Sequence, residues 1–303
     1  METVLSYAIP IIVVLGVLIG FHEFGHFVFA KLMGVEVLKF SIGFGPRIIS
    51  KKIGETEYLL SLVPLGGYVK MAGEDSSEQE DGVDGEKIPS KRTFGGKRFW
   101  QKFLIVLAGS GFNLLLGFCA LFASSVFYGK VVLTNVVDEV MPDTPVTQAD
   151  TLSGDKVADI AVPHPVKMRS HENLIKKAFV ETYNYAALIL LAIPKMFSGA
   201  ISVKELGGPI MIGKLAHDAW QINGLESFLE FTAFLSINLA VLNSLPIPAL
   251  DGGYLWIFLP FEALMGRPMR KRPREILQKT GLFLLLALMS FTILNDISRW
   301  ITW

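Results

Sequence analysis

Long runs without a charged side chain are the feature that most constrains this sequence. Residues 3–21 carry no charge, and apolar residues resume after position 23, which predicts a helix over about residues 4–33. Further apolar runs cover 103–129, 231–261 with the single interruption of Asp251, and 280–295. Because a helix needs about 20 mostly apolar residues to cross a bilayer, the sequence predicts an α-helical integral membrane protein with four transmembrane helices.

The composition agrees with this class and removes several others. Hydrophobic residues make up 51% of the 303 residues and charged residues only 18%, which excludes an ordinary soluble domain. Basic and acidic residues both number 28, so the charge gives no argument for a nucleic-acid partner. The single cysteine, Cys119, excludes an intrachain disulfide and a cysteine-based zinc site.

Basic residues mark one side of the predicted membrane protein. They cluster after the first apolar run, before the second, and between the third and fourth, at 31–52, 91–102 and 267–274. The positive-inside rule assigns these clusters to the cytoplasm. Both termini and the region from about 130 to 230 are then predicted to lie outside, with residues 22–26 toward the cytoplasmic end of their helix.

Residues 35–72 are rich in β-branched, aromatic and glycine residues. Turn signals occur at 43–46, with the sequence GFGP, and at 64–67, with the sequence PLGG. We therefore expect a β-hairpin beside the first helix, dipping into the membrane, where irregular backbone is tolerated only if it is covered by protein or lines a wet cavity.

The segment His22-Glu23-Phe24-Gly25-His26 has the pattern HExxH within a predicted helix. A spacing of four residues places both imidazoles on one helix face, where they can share a zinc ion while Glu23 acts as general base. Ionisable side chains inside a spanning helix cost about 3 kcal/mol each on insertion scales and are normally kept for function. Three within five residues therefore favour a catalytic site over a chance match.

A catalytic zinc usually has three protein ligands, so one is missing from the motif. The remaining histidines, His164, His171 and His217, all fall in the region predicted to lie outside. Asp251 is the other ionisable residue within a long apolar run, next to prolines and glycines that break the helix and expose backbone polar groups. The alternative for Asp251 is a helix cap or an interhelical hydrogen bond.

Taken together, the ordered motifs resemble the site-2 protease family of intramembrane metalloproteases. They are HEFGH in the first run, GFGP and PLGGYVKM in the predicted hairpin, and NSLPIPALDGG in the third run. The resemblance implies that His22, His26 and Asp251 bind Zn²⁺ and that Glu23 is the catalytic acid and base. It also implies that the hairpin pairs with an unwound substrate. The residues it implies for substrate binding are Asn238, Asn243, Pro246, Pro248, Gly66 and Gly67.

Asn113, midway along the second run, has two interpretations. It is a candidate oxyanion or substrate contact, or it makes an interhelical hydrogen bond. The sequence departs from the family pattern nearby, where Ser110 stands in place of the usual proline, and at Tyr254, where histidine is common.

The resemblance also organises the whole chain. Residues 136–160 resemble the opening of a PDZ domain, but too few residues follow to complete one. We expect either a small, reduced PDZ-like periplasmic region or a sequence that lacks part of such a domain. The predicted parts are helix 1 with HExxH at 1–34, the membrane-embedded β-hairpin at 35–72, a cytoplasmic loop at 73–99, helix 2 at 100–129, the partial PDZ-like region at 130–173, a periplasmic surface helix and linker at 174–230, broken helix 3 at 231–265, a basic cytoplasmic loop at 266–279 and helix 4 at 280–303.

The implied function is a zinc metalloendopeptidase of the bacterial cytoplasmic (inner) membrane. Its expected partners are the lipid bilayer and single-span membrane proteins, such as anti-sigma factors or remnant signal peptides, and no nucleic acid. Two alternatives are a metal or ion transporter and an inactive membrane scaffold that retains zinc. The sequence contains no pair of matched, interrupted segments that would favour a transporter.

Overall fold

The computed structural model describes residues 2–74, 88–128, 173–198 and 207–301. Four helices are long and apolar enough to cross a membrane, at Pro10–Leu32, Phe99–Tyr128, Leu225–Asn243 and Lys271–Arg299, in agreement with the number predicted from the sequence. The helices are α1 Glu2–Leu32, α2 Phe99–Tyr128, α3 Leu174–Phe197, α4 Pro209–Asn223, α5 Leu225–Asn243, α6 Leu259–Met265 and α7 Lys271–Ile301, and the strands are β1 Val37–Ile53 and β2 Thr56–Met71.

Close packing of α1, α2 and α5 depends on glycine. A Cβ atom on Gly25 of α1 would lie 2.4 Å from the carbonyl oxygen of Ala108 on α2, and one on Gly117 of α2 would lie 2.6 Å from Cγ1 of Ile237 on α5. Small residues at such crossings allow backbones to approach closely where no hydrophobic effect drives helix association. These three helices therefore form a tightly packed unit.

The two strands form an antiparallel sheet in the region where the hairpin is predicted. Each strand bends, so that the sheet has four arms. Ile42 has both Gly67 and Leu60 as partners, and Leu60 also pairs with Ile49, which places the arms side by side in the order 47–53, 56–61, 37–42 and 67–71. The arm at 67–71 is therefore an outer arm of the sheet.

Glycines permit the first bend and the hairpin turn. Gly43 and Gly45 have φ values of 91° and 86°, in the left-handed region that other residues avoid, and Gly54 at the turn between β1 and β2 has a φ of 59°. The first bend coincides with the predicted turn signal at 43–46, and the arms 56–61 and 67–71 are separated at the second signal, at 64–67.

The sheet is attached to the helices by an apolar cluster and by ion pairs. Glu55 at the hairpin turn accepts a hydrogen bond from Lys31 at the end of α1 (2.5 Å) and pairs with Arg92. Arg92 also lies 3.3 Å from the buried Glu36. The buried residues of the apolar cluster come from α1 and the turn after it, the sheet, the segment before α2, α2 itself and the segment after Asp251: Ala30, Val35, Val37, Met71, Phe94, Ile105, Val106 and Leu255.

The third apolar run is broken, as predicted. Helix α5 ends at Asn243, and residues 244–250 are non-helical. A single helical turn at Asp251–Gly253 then leads into a π-helix at Tyr254–Phe258, which continues as α6. Prolines at 246 and 248 remove backbone donors and fix φ, which accounts for the interruption.

Helices α3 and α4 pack on this unit, whereas α7 contacts it at separate points. Ala178 of α3 is buried in a cluster with residues of α2 and α5. Gly281 of α7 packs against Ala249, and the carboxylate of Asp296 accepts hydrogen bonds from three backbone N–H groups at the start of α4, those of Gly208, Ile210 and Met211, at 3.0–3.1 Å. The predicted PDZ-like region at 130–173, except Asn173, and residues 75–87 of the predicted loop lie outside the described residues.

Candidate metal centre

Three side chains from distant parts of the chain converge on one point. The Nε2 atoms of His22 and His26 are 3.2 Å apart, and Oδ2 of Asp251 lies 3.0 Å from the first and 3.2 Å from the second. Both imidazoles are buried. Among the described residues, His22, His26 and Asp251 form the one group of three or more His, Cys, Asp or Glu side chains that lie close enough together to hold a metal ion.

The donor set and its spacing fit Zn²⁺. Tetrahedral zinc with bonds of about 2.0–2.1 Å to nitrogen and oxygen places its ligand atoms about 3.3 Å apart. The edges of the observed triangle, at 3.0–3.2 Å, differ from this by a few tenths of an ångström. Two imidazole nitrogens and a carboxylate oxygen, all acceptors when unprotonated, can share such a point only with a cation or a proton between them. Three protein ligands also leave the fourth position that a catalytic zinc requires.

Helix α1 supplies both imidazoles, and α2 forms the wall behind them. The four-residue spacing brings the two rings edge to face with centroids 4.8 Å apart. Behind the rings, Nδ1 of His26 donates to the carbonyl oxygen of Ile105 at 2.9 Å, and Nδ1 of His22 faces the side-chain amide of Asn113 at 3.4 Å. Both Nε2 atoms consequently point away from α2 and toward Asp251.

Gly109 of α2 makes room for this arrangement. A Cβ atom at that position would lie 2.3 Å from Nε2 of His26 and 2.8 Å from Cε1 of His22, closer than any real Cβ contact. Any other residue would therefore push against both imidazoles.

The broken segment after α5 presents Asp251. Residues 244–250 fold back over the helical turn that begins at Asp251, so closely that a Cβ atom on Gly252 would lie 2.0 Å from the carbonyl oxygen of Leu245. The indole Nε1 of Trp256 donates to the carbonyl oxygen of Ser244 at 2.9 Å and ties the two ends of the break together. The glycines after Asp251 are thus required for the loop that brings the carboxylate to α1.

A cavity of ≈ 280 Å³ connects the three converging side chains with Glu23 and with the outer arm of the sheet. Gly67 of that arm approaches Glu23 so closely that a Cβ atom there would lie 2.9 Å from Cγ of Glu23. The remaining wall includes residues of the arm, the broken segment and α7, among them Tyr68, Val69, Met71, Pro248, Tyr254, Arg274 and Gln278. The sheet, the carboxylate of Glu23 and the candidate metal ligands therefore share one cavity.

The remaining predicted site residues divide into two groups. Asn243, whose Nδ2 atom is 3.5 Å from Nε2 of His22, and Pro248, which lines the cavity, lie at the site. Gly66 packs against the ring of Phe44 instead. Asn238 is half-buried and Pro246 is exposed, and neither lines the cavity formed by the described residues.

The family of the chain follows from comparison with known proteins. The model of peptidase family M50 matches residues 10–288, which is most of the chain. The chain belongs to peptidase family M50. The predicted resemblance to site-2 proteases is thereby confirmed.

Relatives of this M50 peptidase are named zinc metalloproteases. One from Campylobacter jejuni is 32% identical, with 95% of this chain and 92% of the relative covered. One from Rickettsia conorii is 28% identical, with 96% and 98% covered, and the zinc metalloprotease RasP of Geobacillus kaustophilus is 26% identical, with 99% and 98% covered. The predicted enzyme class, a metalloprotease, and the predicted cofactor, zinc, are therefore confirmed.

These alignments extend over 347 to 425 positions, more than the 303 residues of the chain. The three relatives therefore contain internal segments that this M50 peptidase lacks.

Sequence reasoning missed the part that α2 plays at the site. Gly109 and the carbonyl oxygen of Ile105 contact the candidate ligands, yet neither was expected to. The available signal was a glycine four residues before the polar Asn113 within an apolar run, which places both on one helix face. A backbone carbonyl leaves no signal in the sequence.

Proposed function

We propose that this M50 peptidase is a zinc-dependent endopeptidase that cleaves the membrane-spanning segments of other membrane proteins. In this proposal His22, His26 and Asp251 hold the metal and Glu23 is the catalytic acid and base. The observation that carries it is the convergence of two imidazoles and a carboxylate, from two apolar stretches far apart in sequence, in a cavity that also contains Glu23. Such a constellation is costly to bury in a membrane and is retained for function.

The roles of the chain's own groups follow from their positions. When bound, zinc supplies the Lewis acid that polarises a peptide carbonyl and activates water. Glu23 accepts the proton from the attacking water and returns it to the leaving amine, because its carboxylate lines the same cavity and comes directly after His22 on α1. The amide of Asn243, beside His22, is placed to donate a hydrogen bond to the carbonyl oxygen as negative charge develops.

The outer arm of the sheet is the proposed docking strand for the substrate. A transmembrane helix resists hydrolysis while its backbone is hydrogen-bonded, so the segment to be cut must be extended. The arm at 67–71 pairs with the arm at 37–42, and no pairing on its other side occurs within the described sheet. An extended peptide can add to such an edge through main-chain hydrogen bonds. Tyr68, Val69 and Met71 would then hold it in the cavity beside Glu23.

The proposed setting is the inner membrane of a bacterium, with the site toward the cytoplasm. The basic clusters at 31–52, 91–102 and 267–274 support this orientation through the positive-inside rule, which also assigns both termini to the periplasm. The proposed substrates are single-span membrane proteins of the anti-sigma factor type or remnant signal peptides, and these rest on the resemblance to site-2 proteases alone.

Cleavage of a tagged single-span protein in proteoliposomes tests the proposal. Glu23→Gln is expected to lower the cleavage rate at least about 100-fold, since general acid–base catalysis contributes at least that much. It should leave the zinc content unchanged. The matched control is Glu275→Gln, which makes the same change at an exposed position of α7 and should cleave at the wild-type rate.

Three outcomes separate the proposal from its alternatives. A wild-type cleavage rate in Glu23→Gln would show that Glu23 is not the catalytic acid and base. Zinc-loaded protein that cleaves no substrate would indicate a scaffold, and zinc flux without cleavage would indicate a transporter.

A further inference from the structure

One face of α2 contacts both candidate metal-binding imidazoles. Ile105, Gly109 and Asn113 are spaced four residues apart on this face, which lies against α1. The two imidazoles are held in parallel ways: the Nδ1 atom of each faces a polar group of α2. For His26 that group is the backbone carbonyl of Ile105, and for His22 it is the side chain of Asn113.

We propose that Asn113 is a positioning residue for the metal site. Its side-chain carbonyl oxygen accepts a hydrogen bond from Nδ1–H of His22 and fixes the tautomer whose Nε2 lone pair points at the metal. The inference deepens the proposed function and rests on it, because it requires His22 to be a zinc ligand.

The tautomer required of His22 decides which end of the amide faces it. An imidazole that binds a metal through Nε2 must carry its proton on Nδ1 and donate that proton to an acceptor. In the structure, Nδ2 of Asn113 faces Nδ1 of His22 at 3.4 Å, and Oδ1 of Asn113 is buried without a hydrogen-bond partner among the described residues. With the proton on Nδ1, this orientation would set two donors against each other.

Rotating the amide by 180° gives the oxygen a partner and removes the donor conflict, and it puts Nδ2 in the place that Oδ1 holds in the structure. The oxygen and nitrogen of an asparagine amide are nearly identical in shape, and their assignment rests on the hydrogen-bond network. After rotation, Oδ1 accepts from His22, so the unpartnered oxygen gains a partner and the donor conflict disappears.

The surroundings of Asn113 hold it in place for this role. The residue is completely buried, and its backbone carbonyl accepts a hydrogen bond from the hydroxyl of Ser236 on α5 at 2.7 Å. Burying an amide without a hydrogen bond is energetically unfavourable. The hydrogen bond to the imidazole therefore explains why an amide is buried beside His22. A role confined to joining α2 and α5 would need no side-chain amide, because the backbone carbonyl already accepts from Ser236.

Zinc affinity, measured by competition with a chelator on purified protein, tests the proposal. Asn113→Leu keeps the number of side-chain heavy atoms and the branch at Cγ but removes the acceptor, and is expected to weaken zinc binding by about 10–100-fold, the usual effect of losing the partner of a metal-binding histidine. Asn113→Asp keeps the acceptor and should bind zinc within about threefold of wild type or more tightly. The control Ser125→Ala changes another buried polar residue of α2 whose hydroxyl has no partner among the described residues, and should leave the affinity unchanged.

Each remaining outcome overturns the inference. Wild-type affinity in Asn113→Leu, or equal losses in the aspartate and leucine variants, would show that acceptance from His22 is not what Asn113 provides. Should the leucine variant fail to fold, ¹⁵N NMR of histidine in the zinc-loaded wild type decides: Nδ1 of His22 without a bonded proton contradicts the proposal. A wild-type protein that binds no zinc would overturn the proposed function as well, which separates the two failures.

Discussion

Helices α2 and α7 are both long and apolar enough to span a membrane, but they meet the rest of the protein in opposite ways. Half of the apolar stretch of α2 is buried against other elements, compared with 11% of that of α7. Helix α2 packs along its length through Gly109 and Gly117, whereas α7 is held at separate points, by Arg274 over the ring of Tyr254, by Gly281 against Ala249 and by Asp296 at the start of α4.

This difference separates two tasks within one membrane domain. Helix α2 fixes the positions of the proposed metal ligands, so a change on its inner face should act on zinc binding. Helix α7 is attached by a few localised contacts and closes one side of the cavity, so a change there should act on stability without reaching the metal. The comparison therefore predicts that zinc content and stability respond separately to substitutions on the two helices.

The largest effect is expected for Gly109→Ala on α2. The added methyl group would lie 2.3 Å from Nε2 of His26, so the imidazoles must move out of the geometry that fits zinc. Zinc affinity should fall by more than about 100-fold, beyond the usual loss for a residue outside the ligand set, and cleavage should fall with it. Metal analysis of the purified variant measures this.

The matched control for that change is Gly111→Ala, two residues along α2. No atom lies within 4 Å of the position that its Cβ would occupy, so full zinc content is expected. Zinc loss in both variants, or in neither, would break the distinction between the inner and outer faces of α2.

A smaller effect is expected for Asp296→Leu on α7. The substitution removes the acceptor for three backbone N–H groups at the start of α4, and hydrogen bonds to a charged group contribute about 1.5–3 kcal/mol each, with strong overlap when they share one carboxylate. The free energy of unfolding in detergent should fall by about 1.5–3 kcal/mol, while the zinc content stays at the wild-type level. Glu275→Leu, at an exposed position of α7, serves as its control. Loss of zinc in Asp296→Leu would show that α7 is coupled to the metal site after all.

The smallest effect is expected where the sheet is attached, at Glu55. Burial raises the pKa of this carboxyl, but the hydrogen bond and charge of Lys31 and the charge of Arg92 outweigh burial, so that the net pKa lies below the ordinary value of a glutamate. Because the folded pKa is below the unfolded one, the stabilisation is present above the unfolded value and is lost as the pH falls through the folded value. Glu55→Gln should therefore lower the unfolding free energy by about 0.5 kcal/mol at neutral pH, the small value expected for a partly exposed ion pair.

The pH dependence is the check on that prediction. Unfolding curves of the wild type and Glu55→Gln should converge in acid, where the wild-type carboxyl is also neutral. A difference that persists unchanged in acid would assign the effect to packing and not to charge.

The sequence predicts much of this molecule because its strongest signals are local. Apolar runs define the four long helices, and the spacing of His22 and His26 places both imidazoles on one face without knowledge of any other element. The prolines and glycines around Asp251 predict the break in the third run. The glycines at 43–46 predict the first bend of the sheet for the same reason, since they are needed at φ values that other residues avoid.

What the sequence did not predict depends on how the elements are rotated against one another. Gly109 contacts the imidazoles only because α2 turns that face to α1, and the order of the four arms follows from pairing between distant residues. Asn238 and Asn243 were both expected at the site from resemblance, and of these two Asn243, five residues later on α5, is the one whose side chain approaches His22. Five residues correspond to about 140° around a helix, so the two side chains leave α5 in different directions.

The central claim is that His22, His26 and Asp251 together bind one zinc ion. X-ray absorption at the zinc edge of the purified protein tests it most directly. The account predicts one zinc per chain, with nitrogen and oxygen neighbours at about 2.0–2.1 Å, the scattering of two imidazoles, and no sulfur. Loss of this signal in Asp251→Asn but not in Glu23→Gln is also predicted. Full zinc occupancy with an unchanged spectrum in Asp251→Asn would contradict the account.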